Sequence, residues 1–423
     1  MKEKEASMEE FDRDEDISLF WFRRDLRLED NRALSEALKN STRVLILFVF
    51  DPDILDKLPQ NDARVGFIYQ RLEHLNKELK KFGSSLHVLH NNPLNIFSYL
   101  TDTLNINSVY INKDYEPLAR ERDKNISQFL SARGIAFHQF KDQVIFEEGE
   151  LMKADGTPYS VFTPYKKQWL SALSKLGTLT VYPADWSKLI KHQFDFPSLE
   201  ALGFVRSHIV ASDLDFSKLE DYPQLRNLPA MDATSHLSVH LRFGTVSIRR
   251  IVDAVKSRHP EFLSELIWRE FFMQILFHYP HVVDHNFKRK YDRIKWRNDE
   301  EEFRRWISGT TGFPLVDAGM RQLNATGFMH NRVRMVTASF LCKHLLIDWR
   351  WGEAYFAEKL LDFELSSNNG NWQWAAGTGC DAAPYFRIFN PTTQLSKFDP
   401  EHIYVSRWIS ELNTIAYPAP MVD

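Results

Sequence analysis

Hydrophobic positions follow two rhythms over the first 141 residues and a single one from about Leu219 onward. Ile17–Phe22, Arg43–Phe50, Leu86–His90, Ser108–Asn112 and Ala136–Phe140 are short runs rich in Val, Ile, Leu and Phe. Such unbroken apolar runs suit strands buried on both faces. Between them, Asn31–Lys39, Ala63–Phe82, Asn95–Leu104 and Leu118–Arg133 carry helical patterns. Strands spaced by helices predict βαβ units and a doubly wound parallel sheet, an α/β N-terminal domain over 17–141. Over 142–215 the alternation fades. Gly149, Gly156, Pro158, Pro164, Pro183 and Pro197 punctuate what reads as a long surface connector. Ser247–Ser257, Phe262–His278, Asp299–Ser308, Pro314–Asn324, His330–Leu346 and Trp351–Asp362 then predict an all-helical domain over 216–423.

Composition narrows the class. The chain has 423 residues, 43% of them hydrophobic and 26% charged, as in ordinary globular proteins. That length predicts more than one core. Cys342 and Cys380 are the two cysteines, too few for a disulfide scaffold or a cysteine-held cluster, and a reducing cytoplasm is expected. No apolar run reaches the ~18 residues of a membrane span. Net charge is −4, yet residues 242–350 carry 19 Lys and Arg against 12 Asp and Glu. A basic excess among aromatics hints at nucleic acid and equally at a charged surface around a helical core. Residues 1–16 form an acidic leader, expected to be a solvated tail.

Familiar catalytic signatures are missing. No Gly-x-Gly-x-x-Gly follows the first strand, where Arg23-Arg24-Asp25-Leu26-Arg27 stands instead, so the usual dinucleotide cradle is disfavoured. Hydrolase, metalloprotease and phosphate-loop motifs are also lacking. His278, His281 and His285 have metal-like spacing, but Pro280 interrupts them, and no metal is expected. Two helix faces remain: Glu265 with Trp268, and Asn331 with Met335, the latter flanked by Arg332 and Arg334. Carboxylate, amide, thioether and indole suit the grip of a flat heterocycle. On the residues alone, Trp268 and Met335 read better as core, with Glu265 paired to a neighbouring arginine. The segment Leu365–Pro391 tips the balance, because two tryptophans amid Asn, Gly and Ala fit a core helix poorly and a cofactor-pocket wall well.

From Trp21-Phe22-Arg23-Arg24-Asp25-Leu26-Arg27 to Asn390-Pro391-Thr392-Thr393-Gln394, and above all in Glu265–Phe271, Gly327–Met335 and Asn368–Phe389, the chain resembles the photolyase/cryptochrome family. Within that family the likeness is to the class I cyclobutane pyrimidine dimer photolyases. The resemblance implies FAD buried in the helical domain. Tyr222 and the run Thr234-Ser235-His236-Leu237-Ser238 would hold its phosphates. Phe262, Arg334, Asp362, Phe363, Glu364 and Asn368 would surround the ring. Trp372, Trp349 and Trp296 match an electron relay to the surface. Glu265, Trp268, Asn331, Met335 and Trp374 match the pocket for a flipped-out thymine dimer. Arg226, Arg269, Phe272, Arg332 and Gln394 join Glu265, Trp268 and Asn331 along the DNA strand.

The implied reaction is light-driven. Excited reduced FAD donates an electron to the dimer in DNA, the cyclobutane ring splits and the electron returns. Base flipping is the step by which such enzymes reach a base. A monomer is implied, with a second antenna chromophore, folate or deazaflavin, as an option. Val283 and Asp284 stand where folate-using relatives have Cys-Lys, while Tyr115-Glu116 fits an antenna segment. Glu364 replaces a common aspartate, Asn371 a glycine and Phe262 a tryptophan. The chain ends at Asp423, short of the family's usual last helix and without the long extension of plant cryptochromes. The rival reading is a cryptochrome-type photoreceptor. Asn368 in place of aspartate, together with Trp268, argues for repair.

Overall fold

The uninterrupted apolar runs become the strands. The computed structural model describes residues 15–411 apart from 383, 385 and 386, so nearly all of the acidic leader lies outside the described residues. Strands β1 (Ile17–Phe22), β2 (Val44–Phe50), β3 (His87–His90), β4 (Ile106–Asn112) and β5 (Ala136–Phe140) pair in parallel, in the order β3-β2-β1-β4-β5. Every residue of β1 and β2 is buried, while the edge strand β5 is exposed except for the half-buried Phe137 and Phe140. Helices α1 (Arg32–Asn40), α2 (Ala63–Lys80), α3 (Pro93–Thr103) and α4 (Pro117–Ser131) link the strands. Asn31, Asp62 and Asn92 cap the first three by accepting backbone N–H bonds.

Strand order reverses between β1 and β4, the place where doubly wound sheets bind ligands. Charge occupies that place. Arg24 and Arg242 both donate to one Glu116 oxygen at 2.8 Å, and Arg23 pairs with Asp123 at 2.6 Å. Behind them, Asp25 accepts from the Arg23 backbone N–H and from Asn112, and burial raises its carboxyl pKa.

Contacts divide the chain into two compact units that are not contiguous in sequence. The sheet unit runs to Glu147 and takes in Thr178–Val210 and His240–Ala254. The helical unit takes Glu148–Gly177, Ala211–Val239 and the chain from Val255 onward. The helical unit comprises α5 (Phe162–Leu176), α6 (Pro260–His278), α7 (Glu300–Ser308), α8 (Pro314–Thr326), α9 (Asn331–Ser339), α10 (Trp349–Lys359), α11 (Leu365–Ala376) and α12 (Pro391–Phe398), with shorter turns between. Trp306, Leu315, Met320, Val333, Leu341 and Trp349 sit at its core.

Two elements differ from the pattern-based reading. Helix α5 lies inside the stretch read as a surface connector. Pro164 is in its first turn, where a missing N–H costs nothing, and Tyr165 and Trp169 are buried. Segment 365–376, read as a pocket wall ill-suited to a core helix, is the helix α11. Its unfavourable Gly and Asn are outweighed by packing. Asn369 and Gln373 donate to the Val282 carbonyl at 2.9 and 3.0 Å, and a Cβ at Gly370 would collide with the Phe272 ring.

Candidate functional site

Helical spacing puts the site residues on three facing stripes. On α6, Phe262, Glu265, Trp268, Arg269 and Phe272 share one side of the helix. Helix α9 starts at a His330 cap whose ring nitrogen accepts from the Arg332 N–H. It presents Asn331, Arg334, Met335 and Ala338 at i, i+3, i+4 and i+7. Helix α11 supplies Ser367, Asn368, Asn371, Trp372, Trp374 and Ala375. With Phe356, Leu360 and the turn Asp362–Glu364, these line a cleft of about 110 Å³.

The cleft therefore gathers Asn331, Met335, Trp374, Arg334, Asp362, Phe363, Glu364, Asn368 and Trp372. Glu265 and Trp268 lie outside its lining but are tied to it. Phe272 fills the space left by Gly370, and Arg269 pairs with the buried Glu364 at 3.5 Å. Tyr222, Phe262, Arg226, Trp296, Trp349, Arg332, Gln394 and the run 234–238 also lie outside the lining. Tyr222 and Phe262 meet edge to face at 5.2 Å.

Charge in the cleft is specific. Arg334 donates to Asp362 at 2.9 Å and to the Met329 carbonyl at 2.7 Å. The other Asp362 oxygen is buried with no hydrogen-bond partner. Asn368 donates to both the backbone and the side-chain oxygen of Glu353, at 3.1 and 2.9 Å. Burial raises the Glu353 carboxyl above its ordinary pKa, opposed by that hydrogen bond. Burial, then Arg334 and Arg332, pushes His330 down to about 4, so the imidazole is neutral at pH 7.

A second group of charges adjoins Glu265. Arg226 donates to it at 2.8 Å, which makes Glu265 an acceptor here. Burial and the Glu265 charge lift the Tyr222 hydroxyl to about 12. Arg332 donates to Asn227 at 2.7 Å, and its guanidinium carbon lies 4.4 Å from the Phe398 ring centroid. Burial, then the charges of Arg226 and Arg387, lowers its pKa. Arg226 and Arg387 both lie close enough to repel Arg332, a repulsion that a polyanion would relieve. Gln394 stands on α12, its side-chain oxygen buried without a partner.

Three further groups complete the site. Thr234, Ser235 and Ser238 make no side-chain hydrogen bond among the described residues, and His236 pairs with Asp232 at 2.9 Å. Trp372 and Trp349 are 2% and 1% exposed, whereas Trp296 is half-buried. No two of these three rings are in contact among the described residues. Trp372 instead meets Phe356 at 5.0 Å and Trp306 at 6.1 Å.

Sequence reasoning missed Phe162, whose ring lies flat on Trp268 with centroids 3.6 Å apart and planes 7° apart. Two anchors place it. Asp381 accepts from the Phe162 backbone N–H at 3.0 Å, and the buried Glu270 accepts from Trp169 at 2.7 Å and Tyr165 at 3.3 Å, pinning α5 to α6. No motif signals these partners, because 101 and 105 residues separate the two pinned pairs.

Comparison with known proteins identifies the architecture. Residues 18–184 match the DNA photolyase family, and residues 262–422 match the FAD binding domain of DNA photolyase. The deoxyribodipyrimidine photo-lyase of Vibrio cholerae is 37% identical over 457 residues, covering 96% of each chain. The chain belongs to the DNA photolyase family. Among solved structures, an archaeal photolyase from Sulfolobus tokodaii with two FAD molecules aligns at TM-score 0.81 and 34% identity over 96% of both chains. A Synechocystis cryptochrome aligns at TM-score 0.83 and 28% identity, covering 96% of this chain and 91% of the other. As a member of this family the chain carries an FAD-binding domain, and the chemistry of the residues in and beside its cleft suits the cofactor. The orphaned Asp362 oxygen offers an acceptor to a ring N–H or sugar hydroxyl, the adjoining Arg334 offers a positive charge, and three hydroxyls without protein partners are available to phosphate.

Proposed function

We propose that this photolyase splits cyclobutane pyrimidine dimers in DNA under blue or near-ultraviolet light. One observation carries the reading. Residues suited to a flat lesion, Asn331, Met335 and Trp374, line the same cleft as residues suited to flavin, Arg334, Asp362 and Asn368. Electron transfer demands that closeness, since holding two reactants together replaces a bimolecular encounter. When bound, FAD supplies a light-absorbing electron donor. Arg334 and Asp362 would hold its ring. Asn368, oriented by Glu353, would fix the polar edge, and Thr234, Ser235 and Ser238 would take the phosphates. Trp372, Trp349 and Trp296 run from buried to half-exposed, as a relay to the surface requires.

On the DNA side, Arg226, Arg332 and Arg387 would neutralise phosphates and position the strand. A dimer stacks and pairs poorly, so its extrusion costs less than that of a normal base. Trp268, backed by Phe162, would stack on it, and Glu265 would accept from its edge. The second FAD of the Sulfolobus protein supports an additional chromophore here, with the charged Glu116 segment of the sheet unit as its candidate seat.

The test is loss of thymine dimers from an irradiated oligonucleotide by the FAD-loaded chain, in light and in dark. Restoration of thymines in light alone supports repair. The likeness to a cryptochrome favours a photoreceptor as the second reading. Flavin photoreduction without dimer splitting would select it.

A further inference from the structure

The sheet unit carries a groove of about 610 Å³, within the range of small-molecule sites and sharing no lining residue with the cleft of the helical unit. One wall is a single stripe of α2. Arg71, His74 and Glu78 lie at i, i+3 and i+7, and Phe82 continues the line just beyond the helix. Helical rise over those eleven positions sets Arg71 about 16 Å from Phe82. The two ends differ in chemistry. At one, the half-buried Phe82 and Trp186 rings stack with centroids 5.0 Å apart and planes 22° apart.

The other end is cationic. Arg71 uses its Nε on the Leu26 carbonyl at 2.8 Å, and its two terminal nitrogens hold no hydrogen bond among the described residues. Beside it the buried Arg27 is paired with Asp142 at 2.6 Å, and its Nε has no hydrogen-bond partner. Arg250 stands at the rim, paired with the exposed Glu29 at 2.7 Å. Glu78 is held by Lys81 at 2.7 Å. Burial lowers the Arg71 pKa, opposed by the Glu78 charge and helped by that of Arg27; burial and Arg71 in turn hold His74 below its ordinary value.

We propose that this groove binds a nucleoside di- or triphosphate, its base on the Phe82–Trp186 stack and its phosphates on Arg71 and Arg250. Guanidinium forks match phosphate oxygens in pairs, and aromatic faces accept any base. The length selects the class, because a bare anion or a nucleoside reaches one end only.

Equilibrium dialysis of labelled ADP and ATP tests this on the full chain loaded with FAD, so that the flavin site is filled. Expected is saturable binding of one nucleotide per chain, tighter than about 1 mM, and weaker binding of adenosine and of inorganic triphosphate. Trp186→Leu at the aromatic end and Arg250→Gln at the exposed rim should each weaken it about tenfold, with the flavin spectrum unchanged. The proposal is overturned by the absence of saturable binding or by indifference to both variants. Inorganic triphosphate binding as tightly as ATP, an ion sink, would overturn it too. So would displacement of ATP by a short single-stranded oligonucleotide that binds more tightly.

Discussion

At Trp268 the indole rests flat on Phe162, and the Phe272 ring centroid lies 5.4 Å away at 28°. Trp268→Ala should therefore cost roughly 1–3 kcal/mol of affinity for dimer-containing DNA, read by fluorescence anisotropy, with affinity for undamaged DNA little changed. An equal loss on both DNAs would remove Trp268 from lesion recognition. His330 sets a pH dependence. Its native pKa of about 4 lies below the ordinary value of 6.5, so between those values the unfolded chain binds more protons. Stability from this group is complete above pH 6.5 and is lost as pH falls toward 4. His330→Asn keeps a capping acceptor and should flatten that part of the urea-midpoint profile. An unchanged slope between pH 6.5 and 5 would assign the acid loss to other groups.

The pairing of α5 with α6 shows how an element outside the cleft governs it. Glu270, 2% exposed, receives the Trp169 and Tyr165 donors and so fixes where Phe162 lies. Glu270→Ala leaves buried donors unpaired and should cost about 1–3 kcal/mol of stability. Weaker binding of dimer DNA should accompany the loss as Phe162 comes free of Trp268. Glu270→Gln retains an acceptor and should lose less of both. Stability loss with DNA affinity intact would make the clamp structural only. None of this was legible beforehand, since Pro164 reads as punctuation until the first turn of a helix is known to tolerate it. The helical form of α11 was hidden for the converse reason: local propensity counts its Gly and Asn as breakers, whereas long-range hydrogen bonds and the Phe272 ring require them.

Across the whole helical unit, the gradient from buried Trp372 and Trp349 to half-exposed Trp296 is a property of assembled packing. Trp296→Phe should slow photoreduction of oxidised FAD while sparing repair by chemically reduced enzyme, followed by flavin absorbance and dimer counts. Photoreduction at the normal rate would point to a different exit, and the buried Trp306, in contact with both Trp372 and Tyr355, is the obvious one.

Alternating strand and helix periods, the missing glycine cradle and the stripes on α6 and α9 follow from the order of residues. Side-chain period and steric limits act locally, so the parallel sheet, the helical unit and the grouping of Glu265 with Trp268 and of Asn331 with Met335 are readable in one dimension. Only the tertiary structure decides which stripes face each other. Arg226 reaches Glu265, Arg269 reaches Glu364, Phe162 covers Trp268, and one Asp362 oxygen is left unpaired beside Arg334. Those outcomes depend on burial and on partners tens of residues apart, where the cost of an unpaired polar group or an unfilled space is set by the whole packed unit and not by any neighbour in the chain.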